Sequence, residues 1–82
     1  MQLSVELTLY PLQDEYLTII RQVIARLNEF EDIEANTYPT ATILIGDYDK
    51  VMAALNETIA WSYDTFGKGV FVAKFLPGYE AT

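Results

Sequence analysis

Met1-Gln2-Leu3-Ser4-Val5-Glu6-Leu7-Thr8-Leu9-Tyr10 opens the chain. Leu3, Val5, Leu7 and Leu9 alternate with Ser4, Glu6, Thr8 and Tyr10. A period of two predicts a strand with one apolar face and one face of different character. The apolar face can carry helices. The other face sets a carboxylate, two hydroxyls and a phenol side by side.

The stretches that follow alternate in kind. Pro11 suits the first turn of a helix, and Asp14 and Glu15 favour a helix N-terminus. Tyr16, Leu17, Ile20, Val23, Ile24, Leu27 and Phe30 recur at helical spacing, which predicts an amphipathic helix roughly from Leu12 to Phe30. Glu29, Glu31, Asp32 and Glu34 make an acidic cluster, but its spacing is not that of a calcium loop and no glycine lies within it. It reads as a solvated turn into a short strand over Ile33–Tyr38. Thr40-Ala41-Thr42-Ile43-Leu44-Ile45 is β-branched and apolar and predicts the next strand. In it Ala41, Ile43 and Ile45 are assigned to one face, and Thr40, Thr42 and Leu44 to the other.

Gly46-Asp47 offers a turn and an N-cap. Tyr48, Val51, Met52, Leu55 and Ile59 mark a second helix ending near Trp61 to Tyr63. Asn56-Glu57-Thr58 matches a glycosylation sequon but falls inside that helix and is read as chance. Gly67-Lys68-Gly69 makes the next turn. Val70–Leu76 forms the last strand, and Pro77-Gly78 stops it. Either Val70, Val72 and Lys74 or Phe71, Ala73 and Phe75 can supply its inner side.

The order strand, helix, strand, strand, helix, strand is the ferredoxin-like βαββαβ arrangement of an α+β fold. The expectation is one domain over residues 1–82: a four-stranded antiparallel sheet, first and third strands central, both helices on one face. The bare face is then expected to show Ser4, Glu6 and Thr8 beside Thr40, Thr42 and Leu44. A mixed patch of this kind suits an interface or a ligand site. Lys74, on the strand expected beside the first, can pair with Glu6.

Composition narrows the function. Hydrophobic residues reach 51%, enough for a core, and the formal charge is −7. That acidity argues against nucleic acid and against an anionic membrane surface. No run is long and apolar enough for a bilayer span, and no signal peptide is visible, so a cytoplasmic location is expected. With neither cysteine nor histidine, thiolate metal sites and the commonest general base are both missing. No paired carboxylates or nucleophile constellation is readable, so no catalytic residues, metal ligands or cofactor are assigned. Gly67-Lys68-Gly69 is not a phosphate loop, because it lacks the Lys-Ser/Thr ending and precedes a strand. Lys68-Gly69-Val70-Phe71-Val72 lacks the first aromatic of the RNA-binding signature.

Over nearly its whole length the chain resembles the YkoF-like proteins that bind thiamine or its hydroxymethylpyrimidine moiety. The resemblance lies in Leu3–Leu12, in Asp14-Glu15-Tyr16, in the hydroxyl-rich third strand running to Gly46-Asp47-Tyr48-Asp49, and in Val70–Phe75. It implies a non-enzymatic binding protein of ferredoxin-like modules paired through their sheets, here at least a homodimer, with a tetramer also open. By position it implies ligand-binding roles for Ser4, Glu6, Thr8, Thr40 and Thr42. The chemistry is compatible: Glu6 can accept from an aminopyrimidine or face a thiazolium, hydroxyls can bond the pyrimidine edge, and Trp61, Tyr10, Tyr48 or Phe75 can stack. The rival reading is a ligand-free structural module or an amino-acid-sensing regulatory module that oligomerises.

Overall fold

The computed structural model describes residues 1–79. Its elements are β1 (Gln2–Pro11), α1 (Tyr16–Leu27), β2 (Glu34–Thr37), β3 (Thr42–Asp47), α2 (Tyr48–Phe66) and β4 (Gly69–Pro77). The four strands form one antiparallel sheet in the order β2-β3-β1-β4. This is the expected ferredoxin-like α+β fold, with the first and third strands central.

The alternation of β1 places its leucines as expected. Leu3, Val5 and Leu7 are buried with Ile19, Val23 and Leu27 of α1 and with Val51 and Leu55 of α2. Cross-strand partners share a sheet face, so the register extends the assignment to the neighbours. Val5 faces Leu44 and Phe75, Leu7 faces Thr42 and Ala73, and Leu9 faces Phe71. These residues therefore lie on the helix side. The last strand's open parity is resolved in favour of Phe71, Ala73 and Phe75 as the inner set. Val70, Val72 and Lys74 take the outer side.

In β3 the expected faces are reversed. Leu44 is fully buried in the core, and Thr42, opposite Leu7, is 6% exposed on the same helix side. Ile43 and Ile45 sit opposite Glu6 and Ser4 on the face away from the helices, where Ile45 and Ser4 are nonetheless buried. The physical reason is that Thr42-Ile43-Leu44-Ile45 is apolar at successive positions. Alternation does not decide its parity, and the pairing with β1 does. Thr40 belongs to neither face, since β3 begins at Thr42 and Thr40 sits in the hairpin loop.

Several boundaries differ from expectation, among them the end of α1, which comes at Leu27 and not at Phe30. Pro11 ends β1 opposite Gly69 and does not open a helix. The segment after it is tied down by the Gln13 amide, which donates to the Phe66 carbonyl (2.8 Å) and the Lys68 carbonyl (3.4 Å). Helix α1 consequently starts late, at Tyr16. Asp47 precedes α2 in an extended conformation but without a side-chain hydrogen bond to the helix. Helix α2 runs on to Phe66, where Gly67 stops it at φ 91°, its N–H donating to the Tyr63 carbonyl (2.9 Å). Its buried stripe is Val51, Ala54, Leu55, Thr58 and Ser62, while Ile59 is left 43% exposed. No helix among the described residues is long and apolar enough to cross a membrane.

Candidate functional site

Because both helices lie on one side, the sheet's other side is uncovered. Along β1 it presents Ser4, Glu6, Thr8 and Tyr10. Beside them stand Ile45 and Ile43 on β3, and Leu76, Lys74, Val72 and Val70 on β4. Val70 and Val72 are almost half exposed. Near its middle, Lys74 Nζ stands 4.0 Å from a Glu6 carboxylate oxygen. Both side chains are well exposed, so this expected pair contributes little to stability.

One end of the face is closed by the chain itself. After β4 the backbone turns at Gly78 (φ 76°), whose N–H donates to the Gln2 carbonyl (2.7 Å). Ser4 Oγ then donates to the Tyr79 carbonyl at 2.5 Å and is fully buried. Its hydroxyl, expected to meet a ligand, is engaged by backbone instead. Of the five expected site residues, the structure therefore leaves Glu6 and Thr8 displayed on this face.

A second concave feature lies at the opposite corner of the sheet. Strand β1 outruns β3: its pairing with β3 stops at Leu7, while its pairing with β4 continues to Pro11. The hairpin loop Tyr38–Ala41, closed by the Tyr38 N–H to the Ala41 carbonyl (2.8 Å), curls over the gap. Thr8 Oγ1 donates to the Thr40 carbonyl (3.0 Å) and anchors it. Pro39 suits this turn because its ring presets φ. Between the hairpin, the end of β1 and α1 remains a crevice of about 600 Å3. Thr8, Thr40 and Thr42 all line it. Thr40 and Thr42 are thus brought together at the crevice, away from Glu6, and Thr8 reaches its edge from the Glu6 side of β1.

The crevice's other wall was not foreseen. Helix α1 carries two apolar ridges. Ile19, Val23 and Leu27 are buried in the core. Leu17, Ile20 and Ile24, spaced i, i+3, i+7, line the crevice together with Arg21. The signal was present in the sequence: the apolar arc of this helix is wider than one core contact requires. The aromatics named as stacking partners divide. Trp61 is partly buried against the core, with the Arg26 guanidinium 4.9 Å from its ring centre and Phe66 edge-on at 5.4 Å. Tyr10 stays 57% exposed at the crevice rim. The acidic turn is engaged in part through Asp32, which pairs with Lys50 at 3.7 Å.

Solved structures share this fold. A Streptococcus pneumoniae protein superposes with a TM-score of 0.87 at 27% identity, over 96% of this chain and 89% of that one. A Thermotoga maritima protein, described provisionally as a thiamine biosynthesis/salvage protein, gives 0.82 at 13% identity, over 92% and 82%. A Bacillus cereus domain of unknown function gives 0.79 at 13% identity, over 100% and 83%. The last two likenesses are likenesses of fold. No protein-family profile and no curated protein sequence matches the chain.

Proposed function

We propose that this chain is a non-catalytic binding protein for thiamine or its hydroxymethylpyrimidine moiety, acting as a homo-oligomer in which two uncovered sheet faces pack together. The observation that carries the reading is the position of Glu6. It stands on a central strand in the middle of the uncovered face, its side chain 43% exposed and met by Lys74 only at 4.0 Å. Closing a second sheet over this face buries Val70 and Val72 favourably. It also strips water from the Glu6 carboxylate, which is costly without a partner. A cationic thiazolium or an aminopyrimidine N–H donor offsets that cost. Thr8, next on the same strand face, adds a hydroxyl oxygen that can accept, its hydrogen being donated to the Thr40 carbonyl. The likeness to the Thermotoga maritima protein supports the choice of vitamin.

Titration calorimetry with thiamine and with hydroxymethylpyrimidine tests the proposal. Wild type is expected to bind at least one of them, and Glu6→Ala to lose affinity about tenfold or more, as when a hydrogen bond to a charged group is removed. Equal binding by the two proteins refutes the role of Glu6. Binding by neither leaves the ligand-free oligomeric module as the better description.

A further inference from the structure

The crevice at the far corner differs chemically from the rest of the molecule. The chain holds 12 Asp and Glu residues against 5 Lys and Arg. Among the described residues no acidic one lines the crevice, and Arg21 is the one charged side chain that does. Arg21 is exposed and makes no ion pair among the described residues. The floor and wall are aliphatic, formed by Leu7, Leu9, Leu17, Ile20 and Ile24. Three tyrosines, Tyr10, Tyr16 and Tyr38, stand at the rim, each about half exposed.

Of the four threonines that line the crevice, two are bonded to each other. Thr37 Oγ1 and Thr42 Oγ1 are 3.1 Å apart, so one donates to the other. The accepting hydroxyl keeps its own hydrogen for a further acceptor. An aliphatic lining, three rim phenols, one guanidinium and a spare hydroxyl donor together define a ligand. Its body is apolar and aromatic, to pack against aliphatic side chains and phenol rings, and one end is negatively charged. The volume is that of an ordinary small-molecule site.

We infer that this crevice is a second binding site, which takes a planar aromatic molecule bearing a carboxylate or phosphate, with the acidic group held by Arg21. The inference goes beyond the vitamin reading, and Glu6, which carries that reading, does not line this crevice. Guanidinium recognises both anions through paired N–H donors, so carboxylate and phosphate share one chemistry here.

Two-dimensional amide NMR on the intact chain is the test, with four probes built on one naphthalene ring. These carry a carboxylate, a phosphate, a neutral hydroxymethyl and a cationic aminomethyl group. The two anions are expected to shift the amides of Leu17, Arg21, Thr40 and Ala41 and to bind about tenfold more tightly than the aminomethyl probe. Their relative affinities distinguish a carboxylate ligand from a phosphate ester. Arg21→Gln, an exposed helical substitution, is expected to weaken the anions about tenfold and leave the hydroxymethyl probe unchanged. Equal affinities across the four probes overturn the inference. So do shifts centred on Glu6 and Val72, anion binding indifferent to Arg21→Gln, or no binding. Loss of vitamin binding in Glu6→Ala, on the other face, leaves it standing.

Discussion

Thr58 is fully buried in α2, and its hydroxyl has no hydrogen-bond partner among the described residues. A buried polar atom without a partner forfeits its hydration for nothing. Thr58→Val keeps the branched shape and removes the hydroxyl. We expect it to stabilise the protein by about 1 kcal/mol. In a domain of this size that raises the melting temperature by about 4–8 °C. Calorimetric or circular-dichroism melting checks it, and a lower melting temperature contradicts it. Neither Thr58 nor Arg21 stood out in the sequence. A threonine between apolar helix positions reads as a surface residue, and a lone arginine on a helix reads as a solvated charge. Their significance comes from what packs around them, which local pattern does not carry.

At the scale of the element, the order of strands and helices was legible because turn signals and periodicity agree. Glycine, proline and acidic residues punctuate stretches whose apolar spacing is plainly two or plainly helical. Strand β3 was legible as a strand but not in its parity, since Ile43, Leu44 and Ile45 are equally apolar. That ambiguity carried Thr42 to the wrong face on paper and divided the expected site in two. Helix ends were the other weak point. Pro11 satisfies a helix start and a strand end equally well, and pairing with Gly69 decides between them. The end of α2 depends on Gly67, whose φ of 91° and ψ of −151° lie in a region that only glycine occupies without strain. Gly67→Ala is expected to cost about 1–3 kcal/mol. Chemical denaturation reads it directly, and an unchanged midpoint with an unchanged slope would show that the backbone relaxes there.

For the whole molecule, the arrangement of two helices against one side of a sheet leaves the other side to be explained. Val72 stands on that side opposite Thr8, 49% exposed. If two faces pack together, Val72→Lys places two like charges near a shared centre. We expect sedimentation velocity to show an associated wild type and a monomeric variant. The monomer's own stability should change by no more than about 0.5 kcal/mol, as at other exposed positions. A wild type that sediments as a monomer removes the oligomer from the proposal. The topology also constrains how the chain can be made. Strand β1 pairs with β4 from Leu3 opposite Pro77 to Pro11 opposite Gly69. Its partner on that edge is thus synthesised some sixty residues or more behind it. While the ribosome is still adding α2, β1 is without its β4 partner. Closure of the sheet must wait until Gly69–Pro77 has left the exit tunnel, so pairing along that edge is expected to be the last step of folding.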